Sequence, residues 1–251
     1  MHVAAPLDVF AKVSGLDASL QVVGRPASFL AAGPLTPSAA LLLYAQLRST
    51  VTPLGWSVLI VDAEEYGGLL TTGLVTAGVT SKTLATDAEH IFRTLEEELV
   101  EDARESDSED PLEAYRAQLS QVELPLPKAA VTSEPYHFLE NIEACRVLVL
   151  PVPEALAIAA VGFGGFNAAP GSEVNAVLHS YWYERFGAVP VYAGPDYIEF
   201  SVARPPASPE ALRTLVRQHY IYCPDILEQG GHTLPGLARA HAGERWFFWW
   251  D

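Results

Sequence analysis

The sequence predicts an α+β fold, a C-terminal ferredoxin-like lobe (βαββαβ, one antiparallel sheet) packed against a smaller α/β N-terminal lobe. Three observations carry that expectation. Beyond Val147, short apolar runs bounded by Pro and Gly alternate with two stretches of helical period. The 251 residues are 49% hydrophobic and 10% aromatic, enough to bury the core of one large domain or two lobes. The chain ends on Trp246-Phe247-Phe248-Trp249-Trp250, five aromatics that a folded protein keeps from water.

The N-terminal lobe is assigned to residues 1–127. Thr36-Pro37 opens a helix from Ser38 to Arg48, because Thr suits the N-cap and Pro the first helical turn. Ser57 to Val61 reads as a buried strand, whereas the uncharged Gly- and Thr-rich run from Tyr66 to Ser81 fits neither period. Thr86-Asp87-Ala88-Glu89 has the capping-box pattern, and Ile91, Phe92, Leu95 and Leu99 follow on one face, so a helix with a Glu-rich outer side begins there. Past Val100 the apolar stripe gives way to Glu-Asp-Ala-Arg-Glu-Ser-Asp-Ser-Glu-Asp, which predicts a mobile loop. Asp110-Pro111 starts a short helix to Gln121, and Leu124-Pro125-Leu126-Pro127 is the expected linker.

The C-terminal lobe takes residues 128–251. Val147 to Leu150 and Ala155 to Gly162 read as strands buried on both faces. Pro170-Gly171-Ser172 then caps a helix whose stripe is Val174, Val177, Leu178, Tyr181, Trp182 and Phe186, and Gly187 ends it. Val189 to Tyr192 and Tyr197 to Ala203 form a hairpin around Gly194-Pro195-Asp196, with Ile198, Phe200 and Val202 on one face. Ser208-Pro209-Glu210 opens a second helix that carries Leu212, Leu215, Val216 and His219 inward until Pro224. Arg245 to Trp250 closes the lobe as a strand with aromatics on both sides. The N-terminal lobe is therefore expected to cover its open face or to add a strand beside it.

Charge narrows the function classes. Lys and Arg number 15 against 31 Asp and Glu, a net charge of −16, so a nucleic-acid or anionic-membrane surface would oppose the protein's own field. Twelve of the acids lie between Asp87 and Glu113 with only Arg93 and Arg104 among them, which concentrates the charge locally. A docking surface for a basic protein, centred on Glu96, Glu97, Glu101 and Glu105, is one reading; a solvated helix face and spacer is the other. Two cysteines fit a reducing compartment, and the N-terminus, interrupted by Pro6 and Asp8, lacks a secretory core, so a cytoplasmic location is expected. The most membrane-like stretch, Val147 to Phe166, is broken by Pro151, Pro153, Glu154 and three glycines. Arginine outnumbers lysine twelve to three, a bias that suggests a GC-rich bacterial genome.

Five signatures occur in order: Gly162-Phe163-Gly164-Gly165-Phe166-Asn167, Tyr181-Trp182-Tyr183-Glu184-Arg185-Phe186-Gly187-Ala188, Ala203-Arg204-Pro205-Pro206, Cys223-Pro224-Asp225-Ile226 and Trp246-Phe247-Phe248-Trp249-Trp250-Asp251. Together they resemble an uncharacterised bacterial family, domain of unknown function 4253, over about the last 100 residues. The resemblance implies a shared fold and carries no activity, substrate or catalytic residues.

Function has to be argued from side chains. Gly164 and Gly165, with Gly162, lie between an expected strand and helix, where free amides could hold an anion; close backbone packing explains them equally. Cys223 is the obvious nucleophile, with His219 one turn earlier and His232 beyond, but the carboxyl end of a helix and an apolar setting both raise a thiol pKa. Cys223 and His219 could also share a metal with His232 or His241, on spacing alone. Asp225 and Glu228 repeat the capping-box pattern, and Gln229 precedes a sharp Gly230-Gly231 turn before a Thr233 cap. Asp62, Glu64 and Glu65 read as solvated charges, and no cofactor is expected. Two functions are carried forward. The first is a non-enzymatic interaction module, adaptor or immunity-type inhibitor. The second is a small-molecule-binding or metal-dependent enzyme in which Gly164, Gly165, Asn167, Cys223, Asp225 and Gln229 converge.

Overall fold

Short runs of β-branched, aliphatic and aromatic residues make seven strands: β1 (Gln21–Val23), β2 (Phe29–Leu35), β3 (Ser57–Asp62), β4 (Cys145–Leu150), β5 (Ala188–Ala193), β6 (Tyr197–Val202) and β7 (Arg245–Trp249). The structure, a computed structural model, describes residues 6–17, 19–23, 29–69, 74, 81–105, 135–165, 167, 169–229 and 233–251. All seven strands join one open sheet in the order β1-β2-β4-β3-β5-β6-β7. Neighbours run antiparallel except β3 and β5, which are parallel with Ile60 opposite Tyr192.

Both faces of this sheet are covered. The longer helices are α1 (Pro6–Val13), α2 (Pro37–Val51), α3 (Ala88–Glu105), α4 (Ser172–Phe186), α5 (Pro209–Tyr222) and α6 (Leu234–His241). Phe29, Leu59, Leu148, Phe200 and Phe248 share a core with Phe92 of α3, Trp182 of α4, Leu215 of α5 and Leu237 of α6. Leu30, Ile60, Val147 and Val191 point the other way, toward Val9 of α1, Leu47 of α2 and Phe138 of the helical turn Phe138–Asn141. The strict two-residue alternation of the pleat sorts side chains between these layers. It explains why central strands show no polar face in the sequence.

The α+β class holds, and so do most local expectations. Thr36 accepts the Ala39 N–H, Ser208 the Ala211 N–H and Thr233 the Gly236 N–H, each at the expected helix start. Gly187 ends α4 at φ 60°, and a Cβ there would meet Arg204 Nη1 at 3.1 Å.

The βαββαβ arrangement is corrected. In that plan the run Ala155 to Gly162 is the first strand and separates the last strand from the third. Here Glu154–Leu156 is a 3₁₀ turn, Ala157–Val161 is α-helical, and β7 pairs directly with β6. A run of alanines and single β-branched residues, buried all round, carries no period to distinguish strand from helix, and alanine's propensity then decides. β4 lies between β2 and β3, residues of the N-terminal half, so the sheet is continuous through both halves of the sequence. The helix from Asp110, the Leu124–Pro127 linker and the boundary at residue 127 lie outside the described residues.

Two smaller differences concern α3 and the tail. α3 starts at Ala88, so Asp87 rather than Thr86 caps it, accepting the Glu89 N–H at 3.2 Å, while Glu89 itself accepts the Tyr181 hydroxyl at 3.1 Å. It also runs on to Glu105, past the loop expected after Val100, since Glu, Ala and Arg form helix readily and Arg104 pairs with Glu101. The tail is sandwiched as expected. Trp246, Phe248 and Trp250 are buried on one face, and Phe247 and Trp249 pack on the other against the second core. β7 nevertheless stays at the sheet edge, with no added strand among the described residues.

Candidate functional site

The glycine turn is shaped by its backbone. Gly162, Gly164 and Gly165 have φ of 77°, 103° and 77°, values in the left-handed region that favours glycine. A Cβ on Gly164 would lie 1.9 Å from the Pro170 carbonyl oxygen, so the two chain segments touch there. Asn175 of α4 locks the crossing: its Nδ2 donates to the carbonyls of Phe163 (3.0 Å) and Pro170 (2.9 Å), and its Oδ1 accepts the Tyr222 hydroxyl (2.8 Å). Gly165 N–H is taken by Ala169 O at 2.8 Å, and Asn167, at φ 46°, is exposed. The N-cap of α4 is Gly171, within the Pro170-Gly171-Ser172 segment expected to cap it, and no side chain bonds there.

The Cys-Pro-Asp segment covers an edge. Val202 N–H bonds to Glu244 O and Trp250 N–H to Asp196 O, so even-numbered residues of β7 face β6 and odd-numbered ones turn their backbone outward. Cys223 Sγ donates to one outward group, Trp249 O, at 3.0 Å. Asp225 Oδ2 accepts another, Asp251 N–H, at 3.1 Å, and Asp225 Oδ1 holds Gln229 Nε2 at 3.0 Å. Asp225 therefore does not act as a capping-box residue; Pro224 precedes the helical turn Asp225–Glu228 without a side-chain cap, and the carboxylate serves the tail. An open strand edge is a liability, and these two side chains satisfy one group each where it ends.

The remaining signatures pair in the same manner. Arg204 Nη2 donates to the carbonyls of Tyr183 (3.2 Å) and Glu184 (2.8 Å), closing the end of α4. The Trp250 indole stands between the glycine turn and the end of α5, with ring centroids 5.5 Å from Phe163 and 5.4 Å from Tyr222. Thus all five signatures meet in one framework. Residues 146–251 match the family described as Domain of unknown function (DUF4253). No curated protein and no solved structure matches the chain. In the DUF4253 segment the candidate residues fall into two groups, Gly164 and Gly165 in the turn and Cys223, Asp225 and Gln229 along the β7 edge, with the buried Trp250 between them.

Electrostatics disfavour nucleophilic chemistry at the cysteines. Burial pushes the Cys223 thiol well above its ordinary value, and burial with Asp62 nearby pushes Cys145 up to about 12. His219 does not reach Cys223. Its Nδ1 meets Nδ1 of His241, so one ring donates and the other accepts, while burial and the neighbouring His241 hold His219 far below its usual pKa. His232 lies outside the described residues, and among the described residues no group of three or more His, Cys, Asp or Glu could hold a metal ion. Both thiols are expected to resist alkylation at neutral pH in the native protein and to react fully after unfolding; rapid native labelling of Cys223 would restore it as a nucleophile.

Several buried polar groups escaped sequence reasoning. His179 Nε2 lies 3.0 Å from the Tyr222 hydroxyl; because that hydroxyl gives its proton to Asn175, His179 Nε2–H is the donor. Burial lowers the His179 pKa to about 3. Gln218 joins Trp182 Nε1 (3.3 Å) to the Tyr181 hydroxyl (2.9 Å), linking the core to Glu89 at the surface. Glu199, a carboxylate inside β6, accepts the N–H groups of His137 (2.7 Å) and Phe138 (2.9 Å). Its one sequence signal is a charge that alternates with Ile198 and Phe200 and so falls on the face that the N-terminal lobe is expected to cover.

The acidic helix is anchored on one side and exposed on the other, where Arg104 pairs with Glu101. Phe92 is buried, with Ile91, Leu95 and Leu99 packed against the same core, and Glu96 is paired with Arg217 of α5. Glu97, Glu98, Glu101 and Glu105 are exposed. Among the described residues no helix is long and apolar enough to cross a membrane.

Proposed function

We propose that the protein is a non-enzymatic interaction module, an adaptor or immunity-type inhibitor, that engages a basic protein through the outer face of α3. The observation that carries this reading is the combination of anchorage and exposure on one helix. Ile91, Phe92, Leu95 and Leu99 fix α3, while Glu97, Glu98, Glu101 and Glu105 stand in solvent on its outer side, where Arg104 pairs with Glu101 and the remaining balance is negative. Charges held in place steer an oppositely charged partner and lose little entropy on docking. The net charge of −16 adds a long-range attraction of the same sign. Two buried free cysteines suit a reducing cytoplasm. Against catalysis stand the buried thiols, the neutral buried histidines and the commitment of Asp225 to the tail.

The test uses a variant with Glu97, Glu98, Glu101 and Glu105 all changed to Gln, leaving Glu96 with Arg217. Basic proteins retained by the wild type from native lysate at low salt are expected to be lost by the variant and released by high salt. Association with a retained protein should slow on the order of tenfold. Equal retention by both proteins, or none by either, would contradict the proposal.

A further inference from the structure

The segment Tyr136–Asn141 lies as a strap across the sheet face opposite α4 and α5. Phe138 is fully buried and stacks on Tyr192 of β5, centroids 4.7 Å apart and planes within 2°. His137 sets its ring on Tyr197 of β6 at 5.3 Å and on Phe247 of β7 at 5.1 Å, and Arg245 lies over the Tyr136 ring at 4.2 Å. The polar fastening is Glu199, whose two carboxyl oxygens each take one strap N–H, from His137 and Phe138. We propose that this strap is a pH-sensitive latch, closed over β5 and β6 while Glu199 is protonated and opening more readily once Glu199 ionises.

The argument is one of competing solvation. Glu199 is 4% exposed under the closed strap, and lifting the strap returns its carboxyl to water. Inside, an ionised carboxylate gains the two N–H bonds and the field of Arg245 but loses its hydration. Burial is the largest of these effects and raises the Glu199 pKa from 4.5 to about 7, against the lowering by Phe138, His137 and Arg245. The groups facing it are Arg245 from β7, Tyr192 opposite it on β5, Tyr197 on its own strand, and Tyr136 and His137 from the strap. A pKa higher closed than open means that proton binding favours closure. The stabilisation is complete below the open-state value and lost as pH rises through about 7. Opening uncovers the rings of Tyr192, Tyr197 and Phe247, so the latch gates an aromatic surface.

Global stability is the wrong readout. His179 and His219, kept neutral by burial, lose stability as pH falls below their ordinary value, with the opposite sign. Hydrogen exchange of residues 136–142 on the full chain, corrected for the intrinsic effect of pH, reads the strap alone. Between about pH 5 and about pH 8.5 its protection is expected to fall on the order of 50-fold in the wild type and to stay level in Glu199→Gln. The same pH dependence in both proteins, or none in the wild type, overturns the latch. Should the variant fold poorly, carbon-13 NMR titration of the wild-type Glu199 carboxyl decides. A midpoint near 7 accompanied by the His137 and Phe138 amide shifts supports the proposal, and a midpoint near 4.5 defeats it.

Discussion

Trp182→Ala is expected to destabilise the protein by about 3–5 kcal/mol, the range for removing a large aromatic from a packed core. Trp182 is fully buried and stacks on Phe248 of β7 at 5.8 Å; it also meets His219 at 4.9 Å, Tyr222 at 5.1 Å and Trp246 at 6.0 Å. Its indole N–H donates to Gln218, itself buried, so truncation leaves a polar acceptor unpaired beside a cavity. Few neighbours can collapse into that space, because they are rings held from α5 and β7. Urea unfolding should show the loss with an unchanged slope, and thermal unfolding a fall of roughly 10 °C. Trp182→Phe should lose less, since it keeps part of the ring packing. A change under about 1 kcal/mol for the alanine variant would mean that this aromatic cluster does not tie α4 to the tail.

Adjacent glycines should respond very differently to alanine. Gly164→Ala places a methyl 1.9 Å from the Pro170 carbonyl oxygen at φ 103°, so the turn has to move away from Asn175. Backbone strain and overpacking together give a cost of about 2–5 kcal/mol. Gly165→Ala meets nothing within 4 Å and carries only the penalty of its positive φ, about 1 kcal/mol. The comparison separates close backbone packing from a ligand-binding role, because packing predicts the large effect at the Gly164–Pro170 crossing and a small one at the exposed Gly165, whose Cα faces open space. Equal costs at the two positions would show that the crossing is not the constraint.

How much of this was legible depended on whether the deciding contact is local. α4, α5 and α6 announce themselves through Ser208, Thr233 and Gly187, residues that cap within three or four positions of themselves. The burial of Trp246, Phe248 and Trp250 followed from the pleat alone. The run Ala157–Val161 gave no such cue, because burial on every side erases the period. Sheet order was hidden because β3 enters between β4 and β5 from more than eighty positions earlier in the chain. Cys223 and Asp225 suggest chemistry as residue types, and their partners, Trp249 O at the outward edge of β7 and Asp251 N–H just beyond it, are set only by the tertiary fold. Glu199 is silent in the sequence for the converse reason: its partners are backbone amides of a segment some sixty residues away, and amides leave no mark in a sequence.

The sheet order is the premise beneath every site placed here, and proton–proton Overhauser contacts across the central strands test it most directly. Parallel-pattern contacts from Ile60 and Val61 to Tyr192 and Ala193 are expected, with antiparallel contacts from Leu59 to Leu148 and from Phe200 to Trp246. Extended-strand contacts from Ala157–Val161 to β6 or β7 would contradict the account, since they would restore the βαββαβ arrangement.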